Sequence, residues 1–136
     1  MKAASLTVAI LAFVATNCFA ESTAPTKQIP AKIICGPHSS DPQKLPAWQN
    51  NLSFNLVQGV MTAERETSDR PGKETFRGII SPLGAVLIVG EGGYVGGSAW
   101  VYEFQGKIDD KGHTTLKGML RNTVGAVGSR ACSIIL

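Results

Sequence analysis

The sequence predicts an all-β domain: an antiparallel meander of about seven or eight strands, forming a small barrel or a sandwich and preceded by a cleaved signal peptide. Three observations carry this reading. Apolar and polar residues alternate with a period of two, short turns ending in glycine separate the alternating runs, and the pattern F-x-G-x-I-x-x-x-G-x-x-x-x-x-G occurs twice. No segment longer than a turn or two combines helix formers with apolar residues at helical spacing, and interior glycines cost a helix about 1 kcal/mol each.

The elements follow in order. Residues 1–20, MKAASLTVAILAFVATNCFA, carry Lys2, an apolar stretch from Leu6 to Ala15 and small residues ending at Ala20. This is the layout of a secretory signal peptide. Its apolar stretch is shorter than the roughly 20 residues that span a bilayer, so cleavage after Ala20 and no stable membrane anchor are expected. Ala15-Thr16-Asn17 before Cys18 lacks the Leu and small residue of a lipid-acceptor site. Residues 21–30 are too polar to pack and read as a flexible tether. The single β domain is expected over residues 31–136.

Within that domain AKIIC (31–35) is a short strand candidate, and GPHSSDPQKLP (36–46), with three prolines, is loop. Alternating runs follow: Leu52, Phe54 and Leu56 share one strand face, VMTAERET starts at Val60 and ETFRGII at Glu74. Asp69-Arg70-Pro71-Gly72, Ser81-Pro82-Leu83-Gly84 and Asp109-Asp110-Lys111-Gly112 read as turns. From Ser98 to Lys107, Trp100, Tyr102 and Phe104 fall on one face, with Glu103, Gln105 and Lys107 on the other. Phe76, Gly78, Ile80, Gly84 and Gly90 recur 28 residues later as Phe104, Gly106, Ile108, Gly112 and Gly118. Two copies are too few for a solenoid, so the repeat predicts two similar hairpins in one sheet. The mid-strand Gly78 and Gly106 are read as bulges or bends.

Composition excludes several function classes. The chain has 136 residues, 43% hydrophobic and 17% charged, with 15 glycines in no three-residue period. Intrinsic disorder and collagen do not fit. After cleavage 12 Lys+Arg would face 10 Asp+Glu, with no basic run interleaved with aromatics, so no nucleic-acid partner is expected. Cleavage also leaves two cysteines, Cys35 and Cys132, which in an oxidising compartment predict one disulfide.

No motif points firmly to catalysis, a metal or a cofactor. AVLIVGEGGYVGG (85–97), with Gly90, Gly93 and Gly96, resembles the G-x-x-G-x-x-G fingerprint of extended short-chain dehydrogenases. That motif requires a helix to receive the pyrophosphate, and a strand pattern follows here. His38 and His113 lack the short fixed spacing of metal ligands. No G-x-S-x-G elbow occurs. Glu64, Glu66 and Glu74 alternate with Arg65 and Arg77 and read as an exposed, salt-bridged strand face rather than a glycosidase pair. Asn51-Leu52-Ser53 is a sequon, a glycan acceptor only in a eukaryotic secretory pathway. Pro46-Ala47-Trp48 resembles the G-x-W opening of lipocalins and avidins with proline for glycine, and without a further signature it assigns no family.

The resulting expectation is a small secreted or periplasmic domain, not an enzyme, that acts by binding. The first reading is contact with an extracytoplasmic protein, as an inhibitor of an extracytoplasmic enzyme or an adhesion or host-interaction factor. Its contacts would be Tyr94 and Val95 in a mobile Glu91–Gly97 loop and His38 in the Pro-rich loop. The alternative is a small hydrophobic-ligand carrier with Trp100, Tyr102 and Phe104 lining a barrel cavity.

Overall fold

The computed structural model describes residues 24–125 and 127–136, so the expected signal peptide lies outside the described residues. Among these residues eight strands follow one another: β1 (Lys27–Cys35), β2 (Trp48–Val57), β3 (Val60–Glu66), β4 (Gly72–Ile80), β5 (Ala85–Tyr94), β6 (Ala99–Lys107), β7 (Thr115–Val124) and β8 (Ser129–Ile135). Each pairs antiparallel with its sequence neighbours, and β1 pairs with β8, so the meander closes into a barrel rather than a sandwich. Cys35 stands opposite Cys132 across that closing seam, and the expected disulfide joins them.

The period of two places its apolar set inside. Ile33, Phe54, Met61, Phe76, Ile88, Phe104, Leu116 and Ile134 fill the interior, while Lys32, Glu64, Arg77, Glu103 and Lys117 stand on the outer face. The outer face is mixed, with Ile79, Leu87, Val89, Val101 and Met119 exposed among these charges. Rings meet edge-on or tilted along the core: Phe54 and Phe76 have centroids 6.3 Å apart, Phe76 and Tyr102 5.1 Å.

Several local expectations need correction. β1 begins at Lys27, so residues 27–30 are barrel wall and not tether, paired with β2 from Leu56 to Ser53. Pro30 falls where β1 has a neighbour on one side only, because pairing with β8 starts at Lys32, and a proline is tolerated there. Gly78 and Gly106 are regular ladder positions opposite Ile88 and Val86, and a register shift occurs instead at Ala99/Trp100. What these glycines avoid is collision: a Cβ on Gly78 would lie 2.6 Å from Ile88 Cγ1, and one on Gly106 2.8 Å from Leu116 Cδ2. The matching turns of the repeat do form. Gly84 N–H donates to Ser81 O at 2.9 Å and Gly112 N–H to Asp109 O at 3.0 Å, with φ of 81° and 78°, a backbone region in which glycine is at ease.

An up-and-down meander puts alternate connections at the same end. The β1–β2, β3–β4, β5–β6 and β7–β8 connections therefore crown one end of the barrel, and both loops singled out in the sequence belong to it. β2 pairs with β3 at three positions only, Asn55–Val57 against Val60–Thr62, so the wall is parted between Trp48–Phe54 and Ala63–Glu66 on the side of that crowned end.

Candidate functional site

At the crowned end the inward-facing residues turn polar. The alternation that buries Leu52 and Phe54 continues to Asn50 and Trp48, that of Met61 and Ala63 to Arg65, that of Phe76 to Glu74, that of Leu120 to Asn122, and that of Cys132 to Arg130. Together with Tyr94, Trp100 and Tyr102 these residues line a cup of about 480 Å³. The chain's two tryptophans, Trp48 and Trp100, both stand in its wall.

Glu74 anchors the floor. It is 1% exposed; Oε1 accepts from Trp100 Nε1 at 2.9 Å and from the Tyr102 hydroxyl at 2.5 Å, and Oε2 is ion-paired with Arg65 Nε. This corrects the exposed-face reading of Glu74 and Arg65, since Glu74 is two residues from Phe76 and so shares its inward face. Burial, then the Glu74 charge, pushes the Tyr102 phenol well above its ordinary pKa. Arg65 continues across the parted wall, its guanidinium 5.4 Å from the Trp48 ring centroid. With the Asn50 amide oriented to suit both neighbours, its oxygen accepts from Arg65 Nη1 at 2.9 Å.

The Gly-rich stretch supplies the space for this floor. Residues 91–94 are β5 and not loop, with Gly92 between Glu74 on β4 and Trp100 on β6, and Gly90 between Phe76 and Tyr102. A Cβ on Gly92 would come within 2.5 Å of Trp100 Nε1 and 2.7 Å of Glu74 Cγ. Side chains of the two flanking strands thus meet over a strand that has none there.

Tyr94 is a wall of the cup, not a loop tip. Its ring meets Trp100 edge-on at 5.0 Å, its hydroxyl donates to Asp69 Oδ2 at 2.8 Å, and the Arg70 guanidinium lies 5.4 Å from its centroid. Burial, followed by the Asp69 hydrogen bond, pushes its phenol up to about 12. Val95 does stand out at the following turn, 84% exposed. His38 is 3% exposed, which removes it as a surface contact. Its Nδ1 is 2.7 Å from Ser40 Oγ and accepts from Ser40 N–H, while Nε2 faces Asn122 Oδ1 at 3.1 Å, a network that assigns the proton to Nε2. Of the expected cavity residues, Trp100 and Tyr102 line the cup, whereas Phe104 is sealed in the core one layer deeper.

Arg130, which the sequence reading missed, closes the far side. Nη1 donates to the carbonyls of Gly36 at 2.8 Å, Leu45 at 3.1 Å and Pro46 at 2.7 Å, pinning the Pro-rich loop over β8. Burial lowers its pKa, an effect the Tyr102 and Tyr94 phenols partly oppose. Its position two residues before Cys132 on the inward face was the available signal. Among the described residues no group of three or more His, Cys, Asp or Glu is placed to hold a metal ion. No protein-family model, curated protein or solved structure matches the chain.

Proposed function

We propose that this protein is an exported binding barrel that takes a small ligand in the cup at its crowned end. The observation that carries the reading is the change from apolar to polar lining at that end alone. Interior polar groups are costly to bury, and a barrel with no use for them would close both ends with apolar side chains. Here one end instead presents aromatic walls and a few fixed polar groups, in a volume within the range of small-molecule sites. The signal-like N-terminus and the disulfide support an oxidising, extracytoplasmic setting. No catalytic role is proposed, since Glu74, the most buried acid, is held by three partners at once.

Both tryptophans report on the cup, so the test is intrinsic fluorescence against a panel of small acids, amines and neutral amphiphiles. Saturable change in emission with at least one member, competed by a second that binds the same place, is the expected result. A flat response to the whole panel at millimolar concentration overturns the reading.

Contact with an extracytoplasmic protein is the second reading, supported by Val95, which projects beside the mouth. Its test is capture of a partner from the extracytoplasmic fraction that Val95→Arg abolishes.

A further inference from the structure

The acids of the cup are already engaged. Glu74 serves Arg65, Trp100 and Tyr102, and Asp69 accepts from Tyr94. Asp41, on the Pro-rich loop, pairs with Lys44. Arg130 is different. It is 9% exposed, and among the described residues no carboxylate pairs with it. Its hydrogen bonds all run from Nη1 to neutral carbonyls. A guanidinium carries five N–H donors, and Nε and Nη2 keep three of them without a protein partner among the described residues. Arg130 is among the residues that line the cup. Nε and Nη2 form the edge of the guanidinium that meets a carboxylate side-on through two parallel hydrogen bonds.

Pinning the loop uses one nitrogen. It does not explain a cation with its forked edge left over in a cup where Arg65 pairs with Glu74, Lys44 with Asp41, and Arg70 lies over the Tyr94 ring. A buried charge without a counter-ion is unfavourable, and a ligand that brings the counter-ion removes that cost on binding. The same cup is lined in part by the aromatic and aliphatic side chains of Trp48, Trp100 and Leu120, and Leu120 stands opposite Arg130 in the β7–β8 ladder.

We propose that the ligand of the cup is a carboxylate with an apolar body: the carboxylate is held side-on by Nε and Nη2 of Arg130, and the body lies against the tryptophans. This rests on the ligand-binding reading above and adds the chemical class. The carboxylate belongs to a free organic acid or to a peptide C-terminus, and the chemistry at Arg130 is the same for both.

The experiment uses the wild-type protein and matched probes followed by tryptophan emission: phenylbutyrate and decanoate against phenylbutyramide and decanol, and a short apolar peptide with a free against an amidated C-terminus. The acids are expected to bind about tenfold or more tighter than their neutral counterparts, the loss expected when a charge-assisted pair is removed. Arg130→Gln keeps N–H donors for the loop carbonyls but loses the charge, and it is expected to erase the preference for acids. Arg130→Lys keeps the charge without the fork and is expected to weaken acid binding while leaving the neutral probes unchanged. A preference for small acids or for the free peptide terminus supports the proposal and names the source. Equal binding of acids and neutral analogues to the wild type overturns it while leaving the ligand-binding reading standing. Silence from every probe overturns both. The wild-type comparison decides even where a variant fails to fold.

Discussion

Tyr102 donates its phenol proton to Glu74 Oε1 at 2.5 Å, and the two residues occupy the same position of the 28-residue repeat, each two residues before its phenylalanine. The repeat places them on β4 and β6, alternate strands with β5 between. Inward glycines on β5 let the equivalent positions meet. A duplicated hairpin pattern thus becomes a hydrogen bond across β5, because that strand contributes no side chain at Gly90 and Gly92.

The buried Arg65–Glu74 pair stabilises the floor only as a unit. Glu74→Ala strands the Arg65 charge and the donors of Trp100 and Tyr102, and it is expected to cost about 3–5 kcal/mol in denaturant unfolding. Adding Arg65→Ala should recover part of that loss, with a coupling on the order of 0.5–3 kcal/mol in the double-mutant cycle. Strict additivity of the two single losses would remove the ion pair from the account.

Gly92→Ala forces a methyl group against Trp100 Nε1 and Glu74 Cγ. The expected cost is about 1–3 kcal/mol, with a shift in tryptophan emission as the indole loses its acceptor. Gly93→Ala, whose Cβ would meet ordinary contacts no closer than 3.4 Å, should stay within about 0.5 kcal/mol. Equal effects of the two substitutions would make these glycines generic.

Tyr94→Ala removes an edge-on contact and a hydrogen bond at a half-buried site, so a loss of about 1–2 kcal/mol is expected, against about 3–5 kcal/mol for Trp100→Ala. Thermal or chemical melts of the two variants check the order. A neutral Tyr94→Ala would return this residue to the role of a free contact.

Alkaline pH should destabilise the fold. The phenol of Tyr94 is pushed up to about 12 and that of Tyr102 higher still, while both titrate near pH 10 when unfolded, so the folded state holds protons that the unfolded state releases. The stabilisation is complete below about pH 10 and is lost as pH rises through the folded values. Ultraviolet titration should show tyrosinate appearing late and together with loss of near-ultraviolet dichroism. Ionisation of both phenols near pH 10 with the fold intact would contradict the placement.

Reduction of Cys35–Cys132 opens a loop of 97 residues' separation and is expected to lower stability by on the order of 4 kcal/mol in the chain-entropy model. Urea unfolding with and without reductant measures it. An unchanged midpoint would mean that the β1–β8 ladder closes the barrel unaided.

The sequence by itself determined the class of fold, the strand faces and the disulfide, because these depend on period-two alternation, turn chemistry and parity of cysteines, all of which are local or countable. It also held the inward placement of Glu74, Arg65 and Arg130, which follows from counting by twos from Phe76, Ala63 and Cys132, although charge argued for the surface. Only the tertiary structure decided that these residues converge at one end. Convergence depends on closure of β1 onto β8 and on which connections share an end, and neither is written in any single segment. The same holds for Gly90 and Gly92, whose absence of side chains reads as a loop until β4 and β6 are set on either side of them, and for His38, buried and hydrogen-bonded to a β7 residue 84 positions away. Long-range register, not local propensity, turned a glycine-rich stretch and a scatter of charges into a cup.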